Sequence, residues 1–161
     1  MHLLGGLLAV TAFFLYGSAK ANAIRRELET LEGMLSLLRE VALRLTLRRE
    51  KLGEIFASCK NPFPETPFLQ RIAMQGGGGY GRAWQTSLSL LPLPKDALPP
   101  LHTLGDTLGQ LPLEPQKEQL DFCIARLEEL QAKLSANASQ KQKSTVALWT
   151  LGGLLTALLL L

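Results

Sequence analysis

The chain has 161 residues, a formal net charge of +3 and a hydrophobic fraction of 47%, which suits one compact domain plus apolar segments. The slight basic balance forms no stripe of Arg and Lys with interleaved aromatic residues, so we expect no nucleic-acid partner. Cys59 and Cys123 lack metal-ligand spacing, and we expect both to be buried free thiols.

The two ends of the chain are apolar. Residues 3–19 and 145–161 are stretches of 17 positions without a charged side chain. A helix of this length is near the lower limit for crossing a hydrocarbon core of about 30 Å, and a helix that is apolar on every face needs lipid or a large protein to cover it. We therefore predict transmembrane helices at 1–19 and 145–161, with the lipid bilayer as a partner.

Basic residues flank the predicted spans on their inner sides: Lys20, Arg25 and Arg26 follow the first, and Lys141 and Lys143 precede the second. Positive flanks stay in the cytoplasm, so residues 20–144 are predicted to form a cytoplasmic domain. An alternative is a leader cleaved near Ala23, where small residues occur, although a leader carries its basic residues before the apolar stretch.

After the first span, apolar residues recur at alternating steps of four and three. They are Ile24, Leu28, Leu31, Leu35, Leu38, Ala42, Leu45, Leu52 and Phe56. This heptad pattern predicts a helix from Lys20 to near Thr46 that continues the first span. Arg49 interrupts the pattern. We expect four of these leucines to serve packing or interaction: Leu28, Leu31, Leu35 and Leu38.

Residues 61–67 contain three prolines and are predicted to form a loop. Short helices are expected at 68–75 and 83–90, with Trp84 in the core. The glycine-rich segment 75–81 between them lacks the Lys and hydroxyl residue that a phosphate-binding loop carries after its last glycine. It is expected to be a mobile linker, and a candidate for ordering upon assembly.

Two further helices follow. Pro94 is predicted to open the first, on which Gly105 and Gly109 either allow close helix packing or, for Gly109, mark the end. Pro115 is predicted to start a long helix that continues into the second span. Its apolar face contains Leu120, Ile124, Leu127, Leu130 and Leu134. The two long helices should lie side by side, which predicts an all-α fold with two terminal transmembrane helices flanking a cytoplasmic helical bundle.

No catalytic, cofactor-binding or metal-binding residue is predicted. Adjacent acidic residues fall on water-facing helix surfaces, where nothing drives their pKa values apart. His102 and Asp106 are one helical turn apart, but no serine stands in a nucleophile-elbow sequence. We therefore expect a protein that is not an enzyme and has no cofactor or small-molecule substrate.

Several short features recur in a fixed order along the whole chain. They are Gly5, Gly6 and Gly17 in the first span, Arg25 or Arg26 with the leucines that follow, Glu40-Val41, Ala83-Trp84, Leu104-Gly105, Leu108-Gly109, Gln116, Leu127 and Gly152-Gly153. In this order and spacing the chain resembles the stage III sporulation protein AB family of endospore-forming bacteria. Residues 45–49 depart from the family pattern, which usually has an aromatic residue and a proline-leucine pair there. If the family pattern holds, the first cytoplasmic helix breaks near Thr46, which would also explain why Arg49 interrupts the heptad.

The resemblance implies a structural component of a channel or secretion-like complex between mother cell and forespore, anchored in the mother-cell membrane that faces the forespore. That family is similar to the inner-membrane platform (F-type) domain of type II secretion systems. By this analogy the partners are the ATPase and the other membrane subunits of the complex. The alternative is a two-span regulatory or signalling protein that acts by dimerisation. Association of the chain with further copies of itself is compatible with either function.

Overall fold

The structure is a computed structural model that describes the backbone of residues 2–74 and 80–159 and the side chains of residues 22–74 and 80–138. Its elements are α1 (His2–Leu47), α2 (Leu52–Ser58), α3 (Phe68–Met74), α4 (Tyr80–Leu88), a 3₁₀ helix (Lys95–Ala97), α5 (Leu98–Thr107) and α6 (Leu113–Leu159). The described residues include no strand, which confirms the predicted all-α class.

Helix α1 ends at Leu47, which confirms the predicted break near Thr46. Arg48 donates its backbone N–H to the carbonyl oxygen of Arg44 at 3.0 Å. Arg49 then takes a left-handed backbone conformation, with φ at 51°, as residues just after a helix end commonly do. Helix α2 after it is a separate element that the sequence analysis did not predict.

The predicted loop at 61–67 is confirmed, and Asn61 holds it. Its Nδ2 donates to the carbonyl oxygens of Phe63 and Thr66, at 2.9 and 2.7 Å. Phe63 in turn packs against α1 at Gly33, where an added Cβ would lie 3.3 Å from the ring. The absence of a side chain at Gly33 therefore allows the loop to pack closely on α1.

Helix α4 corrects one expectation. Residues 75–79 of the predicted linker lie outside the described residues, but Tyr80 and Gly81 form the first turn of α4. The ring of Tyr80 packs on Phe56 with centroids 5.9 Å apart. This tertiary contact outweighs the poor helix propensity of Gly81. The helix also ends at Leu88, two residues before the predicted end at Leu90.

The start of α5 differs from the prediction as well. Pro94 precedes the short 3₁₀ helix, and α5 begins at Leu98 with Pro99 and Pro100 in its first turn. Proline is accepted there because the first N–H groups of a helix have no partner within it. Leu108 lies just beyond α5 and is still 96% buried, being 4% exposed.

Helices α1 and α6 pack alongside each other as predicted. Leu120, Cys123 and Leu127 of α6 are buried in the common core. At the surface an ion pair joins the two helices, with Arg39 Nη2 at 2.6 Å from Glu128 Oε1.

Among the residues that the structure describes, no helix has the length and apolar character needed to cross a membrane. The side chains of the predicted spans, 1–19 and 145–161, lie outside those residues.

Candidate interaction surfaces

Trp84 and Gly105 join α4 to α5. The indole is 1% exposed and donates from Nε1 to the carbonyl oxygen of Leu101 at 2.9 Å. A Cβ on Gly105 would overlap Cδ1 of the same ring. Both residues were predicted to serve packing or interaction, and the structure places them inside the fold, away from any surface that a partner could reach.

Aromatic contacts extend from Trp84 to the neighbouring short helices. Phe68 of α3 meets the indole edge-on, with centroids 5.2 Å apart. Phe56 of α2 lies 6.4 Å from it, and Phe63 packs on Phe68 at 5.3 Å. Such pairs each stabilise by about 0.5–1.5 kcal/mol beyond their buried area. They hold α2, α3 and α4 together as a head on the long helices.

Gly109 has a different role from Gly105. It follows the end of α5 with φ at +78°, a conformation that favours glycine, and an added Cβ would lie 3.0 Å from the ring of Tyr80. The two glycines therefore do not form one helix-packing face: Gly105 allows the approach of α4, and Gly109 lets the chain turn towards α6.

Gln116 lies in the first turns of α6 and is 6% exposed. Its Nε2 has no hydrogen-bond partner among the described atoms, and the same holds for Oγ of buried Ser87 in α4. A buried donor without a partner typically costs about 1–3 kcal/mol. Gln116 is therefore a polar side chain that the fold itself does not require.

The predicted leucine positions of α1 lie mainly in the core: Leu31, Leu35 and Leu38 are buried, and Leu28 is half-buried. Of the predicted membrane-flanking residues, Arg25 is exposed and pairs with Glu29 at 3.0 Å, and Arg26 is exposed. The side chains of Lys20, Lys141 and Lys143 lie outside the described residues.

Arg44 fastens the end of α1 to α2. Its guanidinium donates to Glu40 Oε1 at 2.6 Å and to Ser58 Oγ at 2.8 Å, and it lies 3.9 Å from Glu50 Oε2. The hydrogen bond to Glu40 raises the pKa of Arg44 above its usual range, so this cation keeps its charge at all physiological pH values. These contacts give the turn between α1 and α2 a fixed geometry.

Among the described residues, apolar surface is open to solvent at the end of α1 and between α2 and α3. On the outer side of α1, Leu43 is 58% exposed and Leu47 72% exposed. Between α2 and α3 lies an open groove of about 430 Å³, bordered by Met74, which is 84% exposed. The groove is lined by Phe56, Ala57, Cys59, Asn61, Leu69, Gln70, Ala73 and Met74. These two surfaces are the candidates for contact with other molecules, since interaction sites are found where exposed apolar side chains are contiguous.

The two cysteine thiols, at Cys59 and Cys123, are both buried. Burial raises the pKa of the Cys123 thiol to about 12, and burial with the nearby Glu40 carboxylate also raises that of Cys59. Both thiols are therefore protonated, and weakly nucleophilic, at neutral pH.

His102 contacts Gln85 Oε1 through Nδ1, and Gln85 Nε2 donates to Asp106 Oδ1 at 2.9 Å. Within the described part of the chain, no group of His, Cys, Asp and Glu is placed to hold a metal ion.

The described residues thus form an all-helical domain in which short helices make a head on two long ones. The chain belongs to the stage III sporulation protein AB family, which matches residues 2–161. Its membership confirms the resemblance seen in the sequence and gives the protein a role in sporulation. Neither the comparison with curated proteins nor the comparison with solved structures gave a match.

Proposed function

We propose that this protein is a non-enzymatic structural component of a sporulation channel or secretion-like complex between mother cell and forespore. It serves as a membrane platform for the ATPase and the other membrane subunits of that complex. The observation that carries this proposal is the continuity of the long helices: α1 runs unbroken over His2–Leu47 and α6 over Leu113–Leu159. Each joins a predicted span to the helical head.

The membrane placement rests on the sequence of the two ends. Residues 3–19 and 145–161 contain no charged side chain. Basic residues flank both stretches on the side of the middle domain. Under the positive-inside rule, the head then faces the cytoplasm of the mother cell. From Lys20 to Leu47, α1 rises about 40 Å at 1.5 Å per residue, so the far end of the head stands well clear of the lipid surface.

A platform has to bind neighbours while keeping its own shape. Several aromatic contacts centred on Trp84 and the contacts of Arg44 make the head a rigid body. The groove between α2 and α3 and the exposed leucines of α1 supply apolar surface for partners. This combination supports a binding role in which motion or position is passed on without chemistry.

The proposal is tested first by accessibility labelling in intact vegetative cells that express the chain, in which the predicted outer ends face the medium. Single cysteines are placed near Met1, at Gly78 and after Leu161 in a chain with Cys59 and Cys123 replaced by Ala, and a membrane-impermeant maleimide is added before and after permeabilisation. We expect only the middle cysteine to be protected in intact cells. Labelling of the middle cysteine from outside would show that the head does not face the cytoplasm, and would contradict the proposed contact with the ATPase.

A second test is genetic. Deletion of the gene should block sporulation, and affinity purification of the tagged full chain should bring down the ATPase and the membrane subunits of the complex. A deletion strain that sporulates normally would contradict the platform function.

The alternative function, a two-span regulator that signals by dimerisation, is favoured by one observation. Phe122 lies on the outer side of α6 and is 61% exposed, as expected of a residue that pairs with a second copy. Cross-linking from position 122 separates the two: capture of the same protein alone favours the regulator, and capture of other subunits favours the platform.

A further inference from the structure

The end of α1 presents an apolar pair on its outer side. Leu43 and Leu47 are one helical turn apart, 58% and 72% exposed, and therefore lie next to each other on the helix surface. They fall outside the heptad positions that face the core. Removing leucine side chains from water is favourable, so two adjacent exposed leucines offer a partner apolar surface to bury.

Cations outnumber carboxylates near this pair. Between residues 40 and 51 the sequence carries Arg44, Arg48, Arg49 and Lys51 against the carboxylates of Glu40 and Glu50. Arg44 pairs with both carboxylates, at 2.6 Å from Glu40 and 3.9 Å from Glu50, and Arg48 lies 3.5 Å from Glu50. Arg49 and Lys51 form no ion pair with any described residue. The rim of the leucine pair is therefore positively charged.

Arg49 occupies a position where its side chain is not the low-energy choice. Its φ of 51° is the only positive value at a non-glycine residue in the described part of the chain. Glycine or asparagine normally takes this place after a helix end, because the Cβ of other residues comes too close to the following carbonyl oxygen in a left-handed backbone. An arginine kept at a strained and exposed position beside Leu47 points to a use for its charge.

We propose that Leu43, Leu47, Arg48 and Arg49, here called the α1-end surface, form a docking site for an acidic amphipathic helix of another subunit. Such a helix would place apolar side chains one turn apart over the leucines and carboxylates over the arginines. Charge complementarity selects this partner, because carboxylates meet guanidinium groups in a bidentate geometry. The inference rests on the proposed platform function and names the chemistry of one of its contacts.

Two other occupants fit the surface less well. A second copy in a two-fold contact would bring the α1-end surface onto itself and set Arg48 and Arg49 against the same cations. An anionic lipid surface would suit the charge, but α1 is one helix of 46 residues. Its end stands about 40 Å from Lys20 at the edge of the predicted span. A cytoplasmic protein partner satisfies both constraints.

The test uses the full-length chain in sporulating cells, with the photoreactive amino acid p-benzoylphenylalanine at position 47. The matched control carries it at position 122, which is similarly exposed but lies on α6. Cross-linked segments are identified by mass spectrometry of the proteolysed adducts. We expect position 47 to capture a segment of a different subunit that is helical, apolar at one-turn spacing and rich in Asp and Glu.

Charge variants decide whether the contact is the proposed one. Arg48→Glu with Arg49→Glu should lower the cross-link yield at position 47 by roughly tenfold without changing the yield at position 122. Replacing the carboxylates of the captured segment by lysines should restore the cross-link yield of the chain that carries Arg48→Glu and Arg49→Glu. Arg49→Gly, which relieves the strained backbone, should also lower the yield although the fold is at least as stable, so misfolding does not explain the loss.

The remaining outcomes overturn the proposal. Capture of the same chain at position 47 assigns the surface to self-association, and capture of lipid alone assigns it to a membrane. Equal yields with and without the charge reversal exclude an acidic partner. If position 122 still captures other subunits while position 47 captures none, the platform function stands and the α1-end surface is rejected. If neither position captures another subunit and affinity purification of the tagged chain brings down none, the platform function fails as well.

Discussion

The indole of Trp84 lies directly over Gly105, so that no side chain can replace the glycine hydrogen without moving the ring. The ring cannot move freely, because Nε1 is held by the carbonyl oxygen of Leu101 at 2.9 Å and the other edges contact Phe56 and Phe68. A single glycine in α5 therefore sets the position of the aromatic cluster that joins α2, α3 and α4. The head depends on this contact for its shape.

Gly105→Ala should destabilise the protein by about 2 kcal/mol, within the range of about 1–3 kcal/mol seen when a packed core is overfilled. The loss is expected although alanine is the better helix former by about 1 kcal/mol. It is measured by urea unfolding of the full chain in detergent, following Trp84 fluorescence in a Trp149→Phe background.

The control for that experiment is Thr103→Ala, on the exposed side of the same helix. Exposed substitutions of this kind usually change stability by less than about 0.5 kcal/mol. A Gly105→Ala variant as stable as the Thr103→Ala variant would mean that the indole can shift, and that α5 does not fix the cluster.

Gln116→Leu should leave the free energy of unfolding unchanged or raise it by about 1 kcal/mol, because the substitution removes a buried amide whose Nε2 has no partner. Exposed Gln110 supplies the control as Gln110→Leu, with no change expected. Sporulation efficiency is measured in parallel. A stable Gln116→Leu chain that fails to support sporulation would show that the amide serves a contact in the assembly, whereas a loss of stability above about 1 kcal/mol would show that the fold needs it.

Much of the fold could be predicted from the sequence because its signals are local. The leucines of α1 recur at helical spacing, the three prolines at 61–67 exclude both helix and ladder, and Pro115 with the apolar face after it predicts α6. The start of α4 could not be read this way. Tyr80 and Gly81 look like a linker, and they are helical because Tyr80 packs on Phe56, a contact between residues far apart in the chain.

The candidate surfaces were harder to predict than the fold. The residues singled out for packing or interaction, such as Leu31, Trp84 and Gly105, lie in the interior. The exposed pair of Leu43 and Leu47 was missed, although the sequence carries a signal for it: both leucines stand outside the heptad positions of α1. Apolar residues on the polar side of an amphipathic helix are the pattern that would have found them. The left-handed Arg49 has no sequence signal, since glycine is the usual residue there.

Stability should fall at high pH because of Cys123. Burial raises the pKa of this thiol from 9.0 to about 12, so the folded chain keeps the proton that the unfolded chain loses above pH 9. The contribution of the protonated Cys123 thiol to the free energy of unfolding is fully present below pH 9. It is lost at about 1.4 kcal/mol per pH unit between pH 9 and 12. The readout is the difference in free energy of unfolding between the Cys59→Ala chain and the Cys59→Ala, Cys123→Ala chain. We expect this difference to shrink from pH 8 to pH 10.5. A difference independent of pH would show that Cys123 ionises equally in both states.

Arg49→Gly should stabilise the protein by about 1 kcal/mol, because glycine adopts the φ of 51° at little steric cost and arginine does not. The same urea unfolding measurement tests this, with Arg48→Gly as the control. Arg48 has no positive φ and donates its backbone N–H to the carbonyl oxygen of Arg44, so glycine at that position should be neutral or destabilising. If both variants lose stability, the left-handed turn is not strained and the argument for a use of the Arg49 charge weakens. If only Arg49→Gly gains stability and its cross-link yield from position 47 falls, the chain gives up stability at this residue to keep a cation beside Leu47.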